Sequence, residues 1–366
     1  MRVRRFGEDE WSPLHRAFIE AGVSFGLPLQ DRLETLDVGP SVCAEPSNSP
    51  GGIRWNAAFA YLDPVRGSPG LRVRGETLID RVLIDGGRVV GVRAIGPEGP
   101  FEARADLVVL AGGTYGSPAI LLRSGIGPAR DLEALAIEPA VDLPGVGGNL
   151  HDHPSFELIL QPNEEYERRT AEFVATGRAL PDELGFASLC TSLAADGIVD
   201  VHLFSEVLMG GEQPGLFVAC LTPRSRGRLR LRSVDPSAPP LLDHAFLSDP
   251  EGHDLGVLLE GVGMGRGFLA APPMAALFDG EITPGTDVEL AAAIRAGVAH
   301  CWHPVGTCAM GDVTDERGRV RGMDGLVVAD ASLMPRTVRA TTNLPTVVIG
   351  ERVARSLTAL TIADRG

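Results

Sequence analysis

The chain has 366 residues, 44% of them hydrophobic, and a formal net charge of −15, so it can bury a large core and form more than one domain. The acidic balance argues against nucleic acid or an anionic membrane as the main partner. All 33 basic residues are arginine, which excludes a lysine Schiff base, a P-loop lysine and a kinase-type lysine.

Arg2, Arg4 and Arg5 are followed by Gly7, Glu8 and Asp9 rather than by an apolar signal core, and no apolar run approaches membrane-spanning length. The five cysteines, at 43, 190, 220, 301 and 308, form no C-x-x-C pair, and a reduced, cytoplasmic setting is expected. Ser12-Pro13 reads as a cap and first turn, with Leu14, Phe18 and Val23 as an apolar stripe that runs out near Gly26. Residues 27–52 read as loop and 56–62 as a short helix stopped before Pro64. From 71 to 95 β-branched residues dominate, and Asp85-Gly86-Gly87 predicts a hairpin between two strands. Residues 101–111 predict a buried strand and Gly112-Gly113 a turn; Ser117-Pro118 would then cap a helix closed by Gly125.

The glycines at 145, 147 and 148 miss the G-x-G-x-x-G spacing, as do those of 261–267. The H-D-H run His151-Asp152-His153 could suggest a metal with His300, Cys301 and His303, but the second cluster mixes soft and hard ligands without a recognised metal spacing, so no metal is expected. Residues 155–299 read as a mixed unit, with strands at 198–209, 216–222 and 227–231 and a helix at 254–269. Near the end, His303 lies in a loop held by Pro304 and Gly306, and 326–330 is an apolar run too short for a helix. That run predicts a buried parallel strand whose polar end, Asp330, faces a ligand crevice. Thr342, Asn343 and Pro345 precede a helical pattern over 346–360, whose start would favour an anion or a developing negative charge. On residue types alone, His303 reads equally as a base near that site or as a packed core histidine beside an ordinary capped helix.

Five stretches carry a resemblance to a known family: GGTYGSPAILLRSGIGP (112–128), GVGGNLHDHP (145–154), SRGRLRLRSVDPSAPPLLD (225–243), HPVGTCAMG (303–311) and VADASLMP through NLPTVVIGERVA (328–354). In order and spacing the chain resembles the glucose-methanol-choline (GMC) flavoprotein oxidoreductases. The resemblance implies FAD as cofactor and oxidation of an alcohol, a CH-OH donor, to a carbonyl. His303 would be the catalytic base, Asn343 would hold the substrate oxygen, and the carbinol hydride would pass to flavin N5. It also implies cofactor contacts at Asp330 and Ala331, at Pro345 and Thr346 near the flavin O2 edge, and at Ile79 and Gly112 towards the adenine end. Choline-oxidising members carry an acid directly after D-H-P; Ser155 stands there, so a neutral alcohol is expected. O2 or a quinone-like carrier would be the electron acceptor.

The fold implied is α/β with α+β character: an incomplete Rossmann-like FAD-binding domain interleaved with a substrate domain built on an antiparallel sheet with helices. Residues 67–154 and 300–366 would form the FAD-binding part, and 1–66 and 155–299 the substrate part. Family members open with a strand and a G-x-G-x-x-G turn, and neither is read here. The expectation is a chain without its first βαβ unit, to which a partner polypeptide or a longer chain supplies that part. Two alternatives stay open: a non-catalytic fragment, and non-redox lyase chemistry on the same scaffold.

Overall fold

The computed structural model describes residues 1–30, 39–181, 183–208 and 213–363. Residues 31–38 of the expected 27–52 loop, and Met209 at the end of the expected 198–209 strand, lie outside them. The chain divides into two compact units. Among the described residues no helix is long and apolar enough to cross a membrane.

The first unit takes in Met1–Ser68, His153–Arg224 and Asp249–Cys301. Its centre is a seven-stranded antiparallel sheet in the order Ser41–Ala44, Glu183–Leu189, Val201–Leu208, Gln213–Cys220, Pro154–Pro162 and Phe278–Thr283, with Ala299–His300 also paired to Pro154–Pro162. Strand residues alternate between the two faces. Leu203, Leu216 and Leu158 bury one face completely. Helices Pro13–Ser24 and His253–Ala270 cover it, with Phe18 and Phe268 in ring contact at 5.1 Å.

The glycines of 261–267 have a packing role. A Cβ on Gly261 would come within 2.6 Å of Val218 Cγ1, and one on Gly265 within 2.9 Å of Leu158 Cδ1. Their absence of side chains lets the helix lie directly on the sheet.

The second unit takes in Pro69–Asp152, Ser225–Ser248 and Trp302–Gly366. The expected hairpin is present: Leu78–Asp85 pairs with Arg88–Gly96, and Gly99–Arg104 extends it to three strands. The expected strand at 101–111 is broken, because Gly99–Arg104 belongs to this hairpin sheet while Val108–Leu110 pairs in parallel with Leu326–Val328. Helix Gly113–Arg123 follows at once, and Val108, Leu121, Leu326 and Val328 join one apolar core with Val353 of the helix Asn343–Ala363.

Three expectations need correction. Ser117-Pro118 does not open its helix, which begins four residues earlier at Gly113. The last long helix begins at Asn343, so Pro345 sits in its first turn, where a missing N–H costs nothing. Residues 225–248, read as part of 155–299, pack with the second unit because Leu150 and Gly227 exchange backbone hydrogen bonds of 3.1 and 2.7 Å and Leu229 N–H reaches Gly147 O at 2.7 Å.

Candidate active site

The second unit draws distant stretches around the loop after Trp302. Trp302 takes a left-handed conformation, φ 53°, uncommon for a bulky residue, and the chain then turns into His303. Asp152 accepts the His303 backbone N–H on both carboxylate oxygens, at 3.0 and 3.1 Å. Val305 and His151 form a two-way backbone bridge, 2.9 and 3.3 Å. Thr114 Oγ1 donates to Pro304 O at 2.7 Å, and Thr307 Oγ1 donates to Thr114 O at 2.6 Å, clasping the loop to the first turn of Gly113–Arg123.

Gly306 has φ 98°, and a Cβ there would lie 2.4 Å from Asn149 O; no side chain fits. Beyond it, Gly306 N–H meets Ala331 O at 3.4 Å, Cys308 N–H meets Ser332 O at 2.9 Å and Met310 N–H meets Leu333 O at 3.0 Å. The loop is thus fixed from both sides.

Burial holds His303 well below the usual histidine range, at about 4, so its ring is neutral at pH 7. His151 is also pushed down to about 4, first by burial and then by Arg226. Its Nδ1 lies 2.6 Å from Asn149 O, and its Nε2 accepts the Thr337 N–H at 2.9 Å. A carbonyl on one side and a donor on the other fix the tautomer with its proton on Nδ1.

Asp330 ends the short strand as expected. Its Oδ2 accepts the Gly113 N–H at 2.9 Å and the Ser117 hydroxyl at 2.5 Å, and its Oδ1 accepts the Ser332 N–H at 2.8 Å and the Ser332 hydroxyl at 2.5 Å. A carboxylate offers about four lone-pair positions, so all of them are used within the protein. Ser117 also accepts the Gly112 N–H at 3.0 Å. Asp330 is therefore the organiser of the Gly112-Gly113 turn.

Among the expected site residues, Gly112, Asp330, Ala331 and the His303 loop are joined by this hydrogen-bond network. Asn343, Pro345 and Thr346 lie together in the first turn of Asn343–Ala363, where the Thr346 hydroxyl donates to Thr342 O at 2.7 Å. Asn343 is exposed, and its side chain makes no hydrogen bond among the described residues. Ile79 is half-buried against the core on the hairpin strand, and its carbonyl accepts Arg123 Nη2 at 3.3 Å. Ser155 belongs to the first unit, where its hydroxyl donates to Ala299 O at 3.1 Å. Sequence reasoning missed Asp152, Thr114 and Ser117, whose partners are far away in the chain; only the H-D-H run marked Asp152, and as a metal candidate.

Comparison with known proteins identifies the relatives of this chain. Family models described as GMC oxidoreductase match residues 1–155 and 223–350. The 5-(hydroxymethyl)furfural oxidase of Methylovorus sp. (strain MP688) is 34% identical over 384 residues, covering 97% of this chain and 70% of the relative. The alcohol dehydrogenase (acceptor) of Pseudomonas putida is 33% identical over 339 residues, covering 83% of this chain and 61% of the relative. The chain thus spans between 61% and 70% of these relatives. The crystal structure of pyridoxine 4-oxidase from Mesorbium loti superposes with a TM-score of 0.85 at 28% identity, covering 97% of this chain and 71% of that one. A chain matched by two such family models and by such relatives belongs to the GMC oxidoreductase family.

Proposed function

We propose that this chain oxidises a neutral alcohol to a carbonyl with FAD as cofactor. The observation that carries the reading is His303, a neutral imidazole whose backbone is held by Asp152 in a loop fixed from both sides. A neutral ring accepts a proton from a hydroxyl. Asn343, exposed at the start of its helix, has a free amide with which to hold the substrate oxygen.

The residues present fit the cofactor. The first-turn amides of Asn343 and Leu344 have no acceptor within their helix, and that positive end suits an anionic group. No hydrogen bond from the Ala331 N–H occurs among the described residues, which leaves it for the cofactor, as the family resemblance suggests. Asp330, with every lone pair taken, would act through Gly113 and Ser332 and not by direct contact. Ile79 and Gly112 are assigned to the adenine end, and Pro345 and Thr346 to the flavin ring edge. Bound FAD would supply the acceptor for the carbinol hydride.

Ser155 in place of an acid supports a neutral substrate. A hydroxymethyl group, as in the name of the furfural oxidase relative, is the group we assign to oxidation. O2 or a quinone-like carrier then takes the electrons. The relatives are an oxidase and a dehydrogenase, which does not favour the lyase or non-catalytic alternatives. Five thiols, none in a disulfide, support a cytoplasmic setting.

The test is the visible absorption of the purified chain with added FAD, recorded anaerobically before and after a panel of primary alcohols. Flavin bands that bleach with an alcohol, and fail to do so in His303→Ala, are expected. Bound FAD that no alcohol bleaches overturns the reaction, and a chain that takes up no FAD overturns the cofactor assignment. Uptake by the isolated chain also removes any need for a partner polypeptide.

A further inference from the structure

Strand Gln213–Cys220 turns Leu216, Val218 and Cys220 to one face of the sheet, because alternate strand residues share a face. Leu216 and Val218 are buried there under the helix His253–Ala270. Gly261 lets that helix rest on Val218, and its first turn then meets Cys220 at the end of the strand. His253 and Asp254 open the turn. All three residues belong to the first unit, and none takes part in the proposed reaction.

Cys220 and Asp254 are fully buried, and His253 is 8% exposed. The Cys220 sulfur, a His253 ring nitrogen and an Asp254 carboxylate oxygen all lie within 4.8 Å of one another. Around a tetrahedral zinc ion, donors at bond lengths of about 2.0–2.3 Å stand roughly 3.3–3.8 Å apart. The difference is at most about 1.5 Å, within reach of side-chain rotation.

Neighbouring groups set the cluster in place. The Arg224 N–H donates to Asp254 Oδ1 at 2.7 Å and orients that carboxylate. Asp249 accepts the His253 N–H on Oδ2 at 2.6 Å and the Asp254 N–H on Oδ1 at 3.3 Å. The first amides of the helix, which would repel a cation, are thus turned to a carboxylate. Thr222 Oγ1 lies 3.2 Å from His253 Nε2 and puts a neutral oxygen beside the ring.

We propose that Cys220, His253 and Asp254 bind one zinc ion, with the Thr222 hydroxyl or a water as fourth ligand, and so tie the first turn of the helix to the end of the strand. Sulfur, nitrogen and oxygen donors in such a set suit zinc. The thiol releases its proton to solvent as the Zn–S bond forms, since the thiolate is the ligand. An ion held only by the folded chain stabilises it. The site is independent of the alcohol-oxidation reading.

The experiment incubates the purified full chain with zinc after dialysis against EDTA, desalts it, and measures retained metal by inductively coupled plasma mass spectrometry. Wild type is expected to hold one zinc per chain and to melt at a higher temperature than the EDTA-treated chain. His253→Gln and Cys220→Ala each lose the zinc and the shift in melting. Cys301→Ala, which removes the thiol of the cluster considered from the sequence, keeps both. A wild type that retains no zinc overturns the proposal. So does zinc undiminished in a folded His253→Gln or Cys220→Ala, or zinc lost from a folded Cys301→Ala. If circular dichroism shows that both cluster variants fail to fold, X-ray absorption of zinc-loaded Cys301→Ala decides. One sulfur at about 2.3 Å with lighter donors at about 2.0–2.2 Å is expected, and a shell of nitrogen and oxygen alone overturns the site.

Discussion

Asp152 grips the backbone N–H of His303 with both carboxylate oxygens, at 3.0 and 3.1 Å, across 151 residues of chain. The contact is to the main chain, so Asp152 sets where the imidazole stands without charging it. Asp152→Ala removes the acceptor and leaves a loop N–H unsatisfied, a loss of about 1 to 3 kcal/mol. A slower reduction of bound flavin by alcohol is expected, by roughly one to two orders of magnitude. Stopped-flow absorbance checks it, and an unchanged rate would show that the grip is not needed for placement.

The pH dependence of the reductive step follows from His303. Burial keeps its pKa at about 4, and only the neutral ring takes a proton. The rate should therefore be level across neutral pH and fall only as pH drops towards 4. A midpoint near 6.5 in rapid-mixing traces would mean that the ring is solvated when substrate binds.

Stability should move in the same direction on acidification, and the sign can be worked out. His15, His151 and His303 all titrate at about 4 in the folded chain and near 6.5 when unfolded. Between those values the unfolded chain binds protons that the folded one refuses, so stability is full above about 6.5 and is lost as pH falls to about 4. His15 is the simplest to isolate, because its burial lowers its pKa, with Nδ1 2.7 Å from Ser205 Oγ and Nε2 3.0 Å from Pro181 O. Urea titrations of His15→Gln should show a shallower acid slope than wild type over this window.

Glu206 acts in the opposite sense. Its folded pKa of about 8 lies above the unfolded carboxylate value of about 4.3, so the folded chain keeps a proton that the unfolded one releases. Its contribution is intact below about pH 4 and is lost as pH rises to about 8. Glu206→Gln cannot titrate, and its melting temperature relative to wild type should climb between pH 5 and pH 8. A constant difference across that range would place the carboxyl in solvent.

Asp330→Ala takes away the acceptor for four donors at once. Hydrogen bonds to a charged group are worth about 1.5 to 3 kcal/mol each and do not simply add. A loss of several kcal/mol is expected in denaturant unfolding, together with weaker FAD uptake measured by fluorescence. Loss of FAD uptake with unchanged stability would point to direct contact with the cofactor.

Local pattern made some of this legible in the sequence. The run ending in Asp330 read correctly as a parallel strand because its β-branched residues have one polar end, and the hairpin around Gly86 was visible from its turn residues. Ser117-Pro118 misled, since a serine before a proline imitates a helix start. The real start lies in glycines without side-chain signal and is secured by Asp330, 217 residues further along at Gly113. Asp152 likewise has its partner at His303, so its type alone could not reveal its task. The row of Phe186, Phe204 and Phe217 across three neighbouring strands is not visible in the sequence because Leu216, Phe217, Val218 and Ala219 are all buried, which hides the alternation between faces. Residues 225–248 read as part of 155–299 by neighbourhood in sequence, whereas the backbone pairing of Leu150 with Gly227 joins them to the second unit.

The division of the chain into stretches also orders events in time. During synthesis, every residue of the first unit has been made once Cys301 has been added. The second unit still lacks its last stretch from Trp302, including the partner that Asp152 needs and the strand that Val108–Leu110 needs. Until then its early part exposes unpaired strand edge and apolar surface, the kind of surface that associates wrongly or engages chaperones. The loop bearing His303 thus forms only after every residue of the first unit has been made, and a ribosome that stops near residue 301 releases a chain with the strands of that unit present and His303 absent.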